Sequence, residues 1–207
     1  MAYYQNMRLA ILLALASAAW GQVTLTLTGP ATARQGQIVP LSLGSTGATA
    51  NGPAGLQWTL TPPSGFAITG SAAGTQGTAA GKAVSCNAAN TLCLLFGLNQ
   101  NVIANGQAAT LTVQVPANAT PGAASFGLTG LVAGDKIGIA MTATAGTAYS
   151  LTVLSRADLN GDGVVNSADV SAMAAEVTSG ACSADQNADG KCDMLDILLV
   201  ILKALGF

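Results

Sequence analysis

Two stretches near the C-terminus carry oxygen-bearing side chains at alternating positions. The first runs from Asp158 to Asp169, and the second runs from Asp185 to Asp196, 27 residues further along the chain. Counted from its first residue, each has Asp or Asn at positions 1, 3, 5 and 9, Gly at position 6 and Asp at position 12. Calcium takes six to eight oxygen ligands, which alternate residues of a tight loop can supply, and glycine permits the sharp turn. The spacing therefore predicts two calcium-binding loops, each holding one ion.

The predicted ligands are side-chain oxygens, except at position 7, where the backbone carbonyl serves whatever the side chain is. They are Asp158, Asn160, Asp162, Val164, Asn166 and Asp169 in the first loop, and Asp185, Asn187, Asp189, Lys191, Asp193 and Asp196 in the second.

Acidic residues are concentrated in the same region. Of nine acidic residues in the chain, only Asp135 precedes Asp158. From Asp158 onward, eight acidic residues against two lysines leave a side-chain charge of −6 at neutral pH. We therefore expect metal-free loops to repel themselves and calcium to fold this part of the chain. Two halves of such different composition indicate two domains.

A helix is predicted after each loop. Asn166 and Asp193 are favourable N-cap residues, and an Asp follows each of them by three residues. The first helix carries an apolar stripe that includes Val170, Met173 and Val177, with Gly180 after its end. The second, Met194 to Leu205, is apolar apart from Asp196 and Lys203. Such a helix must bury more than one face, against the first helix and against the sandwich or a partner. The alternative is that its whole apolar surface is internal core of the small module.

The duplicated loop–helix unit resembles a dockerin domain. Position 12 is Asp rather than the Glu of an ordinary EF-hand, and no helix leads into the first loop. Both features match dockerins, and the resemblance covers Asp158 to the C-terminus. It implies calcium binding at the positions named above and docking onto a cohesin.

The N-terminus is typical of a secretory signal peptide. Arg8 precedes an apolar run from Leu9 to Ala16, and small residues lead to a cleavage point before Gln22, so that residues 1–21 would be removed. Cleavage after Ala19 and a buried N-terminal strand or helix are the alternatives. The run is short for a membrane span, and no later segment is long enough for one. We therefore expect a secreted, extracellular or cell-surface protein.

Four cysteines in an exported chain are expected to form disulfides. Spacing favours Cys86 with Cys93 and Cys182 with Cys192, although three pairings are formally open. The chain has no histidine and no CxxC pair, in which two residues separate two cysteines, and this disfavours zinc.

Residues 22–154 read as a β-sandwich, followed by a short linker, 155–157, and the calcium-binding domain, 158–207. Short apolar runs alternate with Gly, Pro, Asn and Ser, as in a sandwich or jelly roll of eight or nine strands. The predicted strands are Val23–Thr28, Ile38–Leu43, Leu56–Leu60, Leu92–Phe96, Ala109–Val115, Ala124–Leu128, Ile137–Thr142 and Ala148–Leu154, with a weaker one before Cys86. The fold class is therefore mainly β, with a small all-α module at the end.

This region resembles a cohesin, the jelly-roll receptor module of cellulosome scaffolds. The resemblance covers about 130 residues. It is carried by Val23–Thr28, Gly36-Gln37-Ile38-Val39, Gly55-Leu56-Gln57-Trp58-Thr59-Leu60 and Asn105-Gly106-Gln107 before the Ala109–Val115 strand. It implies a dockerin-binding receptor, although cysteines at 86 and 93 depart from the usual cohesin pattern.

The sandwich region contains few residues that could catalyse a reaction. Its one carboxylate, Asp135, cannot form the carboxylate pair of a common glycosidase, and a Ser-His-Asp triad is excluded without histidine. Trp58 shares strand parity with Leu56 and Leu60, which favours core packing over sugar binding. Phe66, Phe96 and Phe126 are expected to be core or loop anchors. The net charge of −2 does not indicate a nucleic-acid partner.

The leading hypothesis is a non-catalytic assembly protein whose partners are cohesin- or dockerin-bearing proteins, with polysaccharide degradation as its setting. Because the linker is short, self-recognition would give head-to-tail chains. The alternatives are a carbohydrate-binding module carried by a dockerin, which would bind a polysaccharide, and a calcium-stabilised surface adhesin.

Overall fold

The computed structural model describes residues 21–207. The predicted signal peptide, residues 1–21, lies outside the described residues apart from Gly21. Eleven strands and three helices follow in chain order: β1 (Gln22–Thr28), β2 (Thr32–Arg34), β3 (Ile38–Thr46), β4 (Pro53–Thr61), β5 (Ala67–Ala73), α1 (Thr75–Ala79), β6 (Ala83–Cys86), β7 (Leu92–Phe96), β8 (Gly106–Gln114), β9 (Gly122–Asp135), β10 (Ala140–Ala145), β11 (Tyr149–Leu154), α2 (Ser167–Ser179) and α3 (Met194–Ala204).

The strands form two sheets that share β10. One sheet has the order β5-β8-β3-β1-β10, and the other has the order β10-β9-β4-β7-β6. Most neighbours are antiparallel, but β1 pairs with β10 in parallel and β11 pairs with β2 in parallel. The long strand β9 changes partners along its length, because Gly122–Phe126 pairs with β11 and Gly127–Asp135 pairs with β4. This arrangement confirms the predicted mainly β sandwich.

One cluster of buried apolar side chains fills the space between the sheets. Strands alternate between buried and exposed residues, as in β1, where Val23, Leu25 and Leu27 point inward and the threonines between them do not. Trp58 on β4 is fully buried in this cluster, as its strand parity predicts. A second, separate cluster draws on residues 157–200 at the C-terminal end. The division of the chain at residues 154 and 158 stays a prediction.

Three elements were not predicted: β2, β5 and α1. The short strand β2 has no alternating apolar pattern, and β5 is rich in Ala, Gly and Ser, so that neither carries the usual signal of a strand. The predicted strand Ile137–Thr142 starts too early. Asp135 accepts hydrogen bonds from the amides of Ile137 and Ile139, and Gly138 has a φ of +84°, so that a tight turn precedes β10.

A disulfide bridges β6 and β7 at the end of the sheet. Cys86 and Cys93 lie directly opposite each other in the strand register, with their Cα atoms 4.1 Å apart. The bridge closes a seven-residue separation and limits how far the hairpin can open in the unfolded chain. Within residues 21–207, no helix is long and apolar enough to cross a membrane.

Replacement of Trp58 tests its assignment to the core. Its side chain is fully buried, and its Nε1–H has no hydrogen-bond partner among the described residues. We expect Trp58→Ala to lower the free energy of unfolding by about 3–5 kcal/mol, because it leaves a large cavity. Trp58→Phe should cost about 2 kcal/mol or less, because it also removes the unsatisfied donor.

Urea unfolding followed by circular dichroism measures both variants. Leu98→Ala is the control, because Leu98 is fully exposed and its replacement should change stability by less than about 0.5 kcal/mol. A Trp58→Ala protein as stable as the control would contradict the assignment of Trp58 to the core.

Candidate metal centre and docking surfaces

The first loop is held by its own first carboxylate. Asp158 is 1% exposed, and its two oxygens accept hydrogen bonds from the amides of Gly161 at 2.8 Å and Gly163 at 2.9 Å. Both glycines have positive φ, +78° and +90°, which lets the chain turn around this side chain. Asn160 and Asp162 continue the turn, because each accepts from an amide two residues onward, that of Asp162 or of Val164. The loop is therefore a series of Asx-type turns around one centre.

The second loop repeats this arrangement. Asp185 accepts from the amides of Ala188 at 2.6 Å and Gly190 at 2.7 Å, and Asn187 and Asp189 accept from amides two residues onward. One difference is Ala188, which occupies the left-handed conformation, with φ +61°, where the first loop has Gly161. A β-carbon makes that conformation unfavourable, so the second loop carries local backbone strain.

The carboxylate at position 12 ties each loop to the helix that follows. Asp169 is fully buried and accepts from the amides of Leu159, Asn160 and Asn166 at 2.7, 3.1 and 2.9 Å. Its bond to Asn166 completes a capping box at the start of α2, since the Asn166 side chain caps the same helix.

Asp196 has the same role in the second repeat. It is fully buried and accepts from the amide of Gln186 at 2.7 Å and from that of Asp193 at 2.8 Å, which completes the capping box of α3. The sequence-based N-caps and the starts of both helices agree with these bonds.

Of the remaining predicted side-chain ligands, Asn166 and Asp185 are half-buried, and the others are exposed. In both loops the side-chain amide of position 3 donates to the carboxylate of position 5: Asn160 to Asp162 at 2.8 Å and Asn187 to Asp189 at 2.9 Å. This bond, followed by that from the Lys191 amide, holds the pKa of Asp189 below its ordinary value. Across the described residues, no three His, Cys, Asp or Glu side chains converge closely enough to form a metal cluster.

The chemistry of the donor set fits calcium. Each loop presents carboxylate, amide and backbone oxygens, and it contains no nitrogen or sulfur ligand that would favour a transition metal. Asp158 accepts two hydrogen bonds and Asp169 accepts three, all from backbone amides, so each buried carboxylate keeps free acceptor capacity within a negatively charged loop. A bound divalent cation would neutralise that charge.

The two loop–helix units pack around a very small core. Ala157, Met173 and Val200 are its buried members, and partly buried residues such as Val170 and Ile197 pack against them. Disulfide Cys182–Cys192 joins the end of the first unit to the second loop, with Cα atoms 5.2 Å apart. Since so small a core supplies little stability, the disulfide is an important constraint on the unfolded module. Both predicted disulfides are thus present.

One side of α3 remains apolar and uncovered. Met194 is 73% exposed, and Leu195 and Leu198 are each 48% exposed. Together with Leu202 they define the α3 face, and Leu205 and Phe207, which follow the helix, are also exposed. Contiguous exposed apolar surface of this kind is typical of a protein interaction site. The second helix therefore buries one face within the module and leaves another exposed, so complete burial of this helix inside the small module is excluded.

A second apolar surface lies on the outside of the sandwich. Strand β7 is apolar on both sides, with Cys93 and Leu95 buried and with Leu92, Leu94 and Phe96 about 40% exposed. Leu94 and Val132 flank Gln57 in one row across β7, β4 and β9. We call Leu92, Leu94, Phe96 and Val132 the β7 face.

The expectation that Phe96 is a core or loop anchor is wrong, because Phe96 lies on strand β7 and is 42% exposed. Its side chain belongs to the exposed β7 face, whereas Phe126 is buried and contacts Phe66 edge-on, with ring centroids 5.6 Å apart. The run Leu92-Cys-Leu-Leu-Phe96 has no polar residue at alternate positions, and this is the signal in the sequence that both of its faces are covered or bind something.

Comparison with known proteins agrees with both halves of this description. Residues 156–204 match the dockerin type I domain family. The sandwich is similar to the sixth cohesin of scaffoldin B from Acetivibrio cellulolyticus, solved with a mutant Cel5 dockerin; the TM-score is 0.55 at 18% identity, over 64% of this chain and 99% of the cohesin.

Two further cohesin structures are comparably similar. A type I cohesin–dockerin complex from Clostridium thermocellum gives a TM-score of 0.55 at 15% identity, over 64% of this chain and 99% of that one. A non-cellulosomal cohesin from Archaeoglobus fulgidus gives 0.53 at 13% identity, over 65% and 93%. No curated protein sequence matches the chain.

The chain therefore joins a β-rich N-terminal part with a cohesin-like fold to a C-terminal dockerin region. Dockerin type I domains bind calcium.

Two aspartates of the first loop should respond differently to replacement. Asp162 is exposed, so we expect Asp162→Ala to change metal-free stability by less than about 0.5 kcal/mol. It should nevertheless weaken calcium binding by on the order of tenfold, because it removes a charged ligand. Asp169→Ala should also destabilise the metal-free module, by about 3 kcal/mol, because it leaves three partly buried amides without their acceptor.

Both effects are measured on the full chain, by calorimetric titration with calcium and by thermal unfolding in chelator. Equal destabilisation by both variants in chelator would contradict the distinction between them.

Replacing Ala188, the strained residue of the second loop, is expected to stabilise the module. Ala188→Gly should raise the free energy of unfolding of this module by about 1 kcal/mol, because glycine adopts positive φ without a steric penalty and only part of this gain is lost to the entropy of the unfolded chain. Gly161→Ala is the matched reverse change in the first loop and should destabilise by a similar amount. Thermal unfolding at saturating calcium measures both, and a destabilised Ala188→Gly protein would contradict the prediction.

Proposed function

We propose that this chain is a non-catalytic extracellular assembly protein that docks through calcium-dependent contacts of the cohesin–dockerin type. The observation that carries the proposal is the presence of two uncovered apolar surfaces, the α3 face and the β7 face, on two modules of one chain. Each surface suits a partner of the opposite kind: a cohesin for the α3 face and a dockerin for the β7 face.

Calcium binding is linked to docking through the helices that follow the loops. In each loop one carboxylate holds the loop and caps the helix that follows, so that the position of α3 depends on the order of the second loop. The residues that we propose to hold the two ions are the twelve predicted from the spacing. Bound calcium would offset the charge of the loops and so stabilise the orientation of the α3 face.

The proposed partners follow from chemistry and from the relatives. The α3 face is uncharged along Met194, Leu195, Leu198 and Leu202, so an apolar receptor surface is its natural complement. The solved complex from Acetivibrio cellulolyticus contains a cohesin and a dockerin, and so does that from Clostridium thermocellum. A secreted complex that degrades polysaccharide is the setting that the resemblance implies.

Direct sugar binding by the sandwich has little support in its surface. Trp58 is in the core, and Phe96 is a single partly exposed ring among aliphatic side chains rather than one of a row of rings. The sandwich's only carboxylate, Asp135, accepts hydrogen bonds within a turn. We therefore propose protein docking for this module in preference to a sugar-binding or catalytic role.

The docking proposal predicts separable effects of two charged substitutions. Leu198→Glu should abolish binding of the full chain to cohesin modules, because it buries a carboxylate in an apolar contact. Leu94→Glu on the β7 face should abolish binding to dockerin modules and leave cohesin binding intact. Ala175→Glu is the control, because it adds the same charge to an exposed position of α2.

Surface plasmon resonance against panels of purified cohesin and dockerin modules, in calcium and in chelator, measures these effects. Sedimentation velocity of the full chain under the same conditions shows whether its own copies are partners. Unchanged cohesin binding by Leu198→Glu, or equal binding in chelator, would contradict the proposed docking.

A further inference from the structure

Two arginines lie where the sandwich meets the calcium-binding module. Arg34 is the last residue of β2, and its register partner in the parallel pair is Leu154, the last residue of β11. Arg156 follows β11 by two residues, within the predicted linker. They are the only arginines in residues 21–207, and both are partly buried.

Arg34 bonds to the start of the first loop. Its Nε donates to the carbonyl oxygen of Asp158 at 2.6 Å, and its Nη2 donates to that of Leu159 at 2.7 Å. Two donors of one planar guanidinium thus hold two successive carbonyls, an arrangement that a lysine ammonium cannot reproduce. The bonds connect residues 124 and 125 positions apart in the sequence.

Arg156 bonds to the start of the second loop. Its Nη1 donates to the carbonyl oxygen of Gln186 at 3.2 Å, and the Gln186 side chain donates to the carbonyl of Arg156 at 3.3 Å. The sandwich holds the same residue, because the Arg156 amide donates to the side chain of Gln35 at 3.0 Å. A β-carbon on Gly36 would collide with the Arg156 guanidinium, so this position leaves room for it.

The two contacts are equivalent in the repeat. Leu159 and Gln186 both occupy position 2 of their loops, and each carbonyl accepts from an arginine. The amide of each of these residues donates at 2.7 Å to the closing carboxylate of its loop, Asp169 or Asp196. Each loop therefore contains a continuous polar chain from a guanidinium, through the position-2 residue, to the carboxylate that caps the helix.

We propose that Arg34 and Arg156 are positioning residues that anchor the two calcium loops to the sandwich and couple calcium binding to it. The inference rests on the proposed calcium binding and adds a residue pair outside the twelve ligand positions. By holding the position-2 residues, the arginines order the loops before the ion arrives, so that less conformational entropy is lost on binding. The coupling is reciprocal: an anchored loop binds calcium more tightly, and calcium stabilises the anchoring contact and the sandwich.

An opposing effect must be separated from the anchoring. A guanidinium near a divalent cation repels it, so removal of Arg34 would tighten calcium binding if charge dominated. Arg34→Gln removes both the charge and the paired donors, whereas Arg34→Lys keeps the charge and loses the paired geometry. Anchoring predicts weaker calcium binding in both variants; repulsion predicts tighter binding in Arg34→Gln alone.

The experiment is calorimetric calcium titration of the full secreted chain in an Asp185→Ala background, where only the first loop is measured. We expect Arg34→Gln and Arg34→Lys to weaken binding by about tenfold, the lower end of the effect of residues that orient metal ligands. Lys136→Gln is the matched control, because Lys136 is an exposed cation on the β9–β10 turn, and it should change nothing. Arg156→Gln, in an Asp158→Ala background, should weaken the second site in the same way.

A second readout needs no titration. Calcium should raise the thermal unfolding temperature of the sandwich in the unmodified chain, and this shift should shrink in the Arg34→Gln, Arg156→Gln double variant. If calcium binds the unmodified chain but the arginine variants match Lys136→Gln in both measurements, or if Arg34→Gln binds calcium more tightly, the inference is overturned and the proposed function stands. If the unmodified chain takes up no calcium, the calcium-dependent function and the inference both fail.

Discussion

The C-terminal module depends on two buried carboxylates, Asp169 and Asp196. Each closes its loop by accepting hydrogen bonds from amides at the start of that loop. Each also caps the following helix by accepting a hydrogen bond from the amide of the N-cap residue. One side chain therefore fixes the relative position of loop and helix in a module whose buried core has only three members. The module has little other apolar packing to hold α3 in place. The orientation of the α3 face therefore depends on the loops being ordered.

Local features of the molecule could be predicted from the sequence because their causes are local. The spacing of Asp, Asn and Gly specifies the loops, and the same residues at the helix starts specify the caps. Alternation specifies most strands and the burial of Trp58. Strand β2 was missed because its pairing with β11, rather than its own composition, makes it a strand. The role of Arg34 depends on that pairing, since only the folded sheet brings β2 to the first loop.

The two apolar surfaces differ in origin. The α3 face exists because an apolar helix lies against a single small neighbour, and more than one side of it cannot be buried there. The β7 face exists because a strand near the edge of one sheet is apolar on both sides while only one side meets the core. Both are departures from efficient burial, and such departures are where interaction with another protein is expected.

The parallel pairing of β2 and β11 has a mechanical consequence. A partner that pulls on α3 transmits tension through Ser155–Ala157 into Leu154, the end of β11. Strand β11 lies between β2 and β9, and its interstrand hydrogen bonds run across the strand direction. Tension along the strand loads these bonds together, in shear, rather than breaking them one after another. The junction thus resists extension where the chain passes from one module to the other.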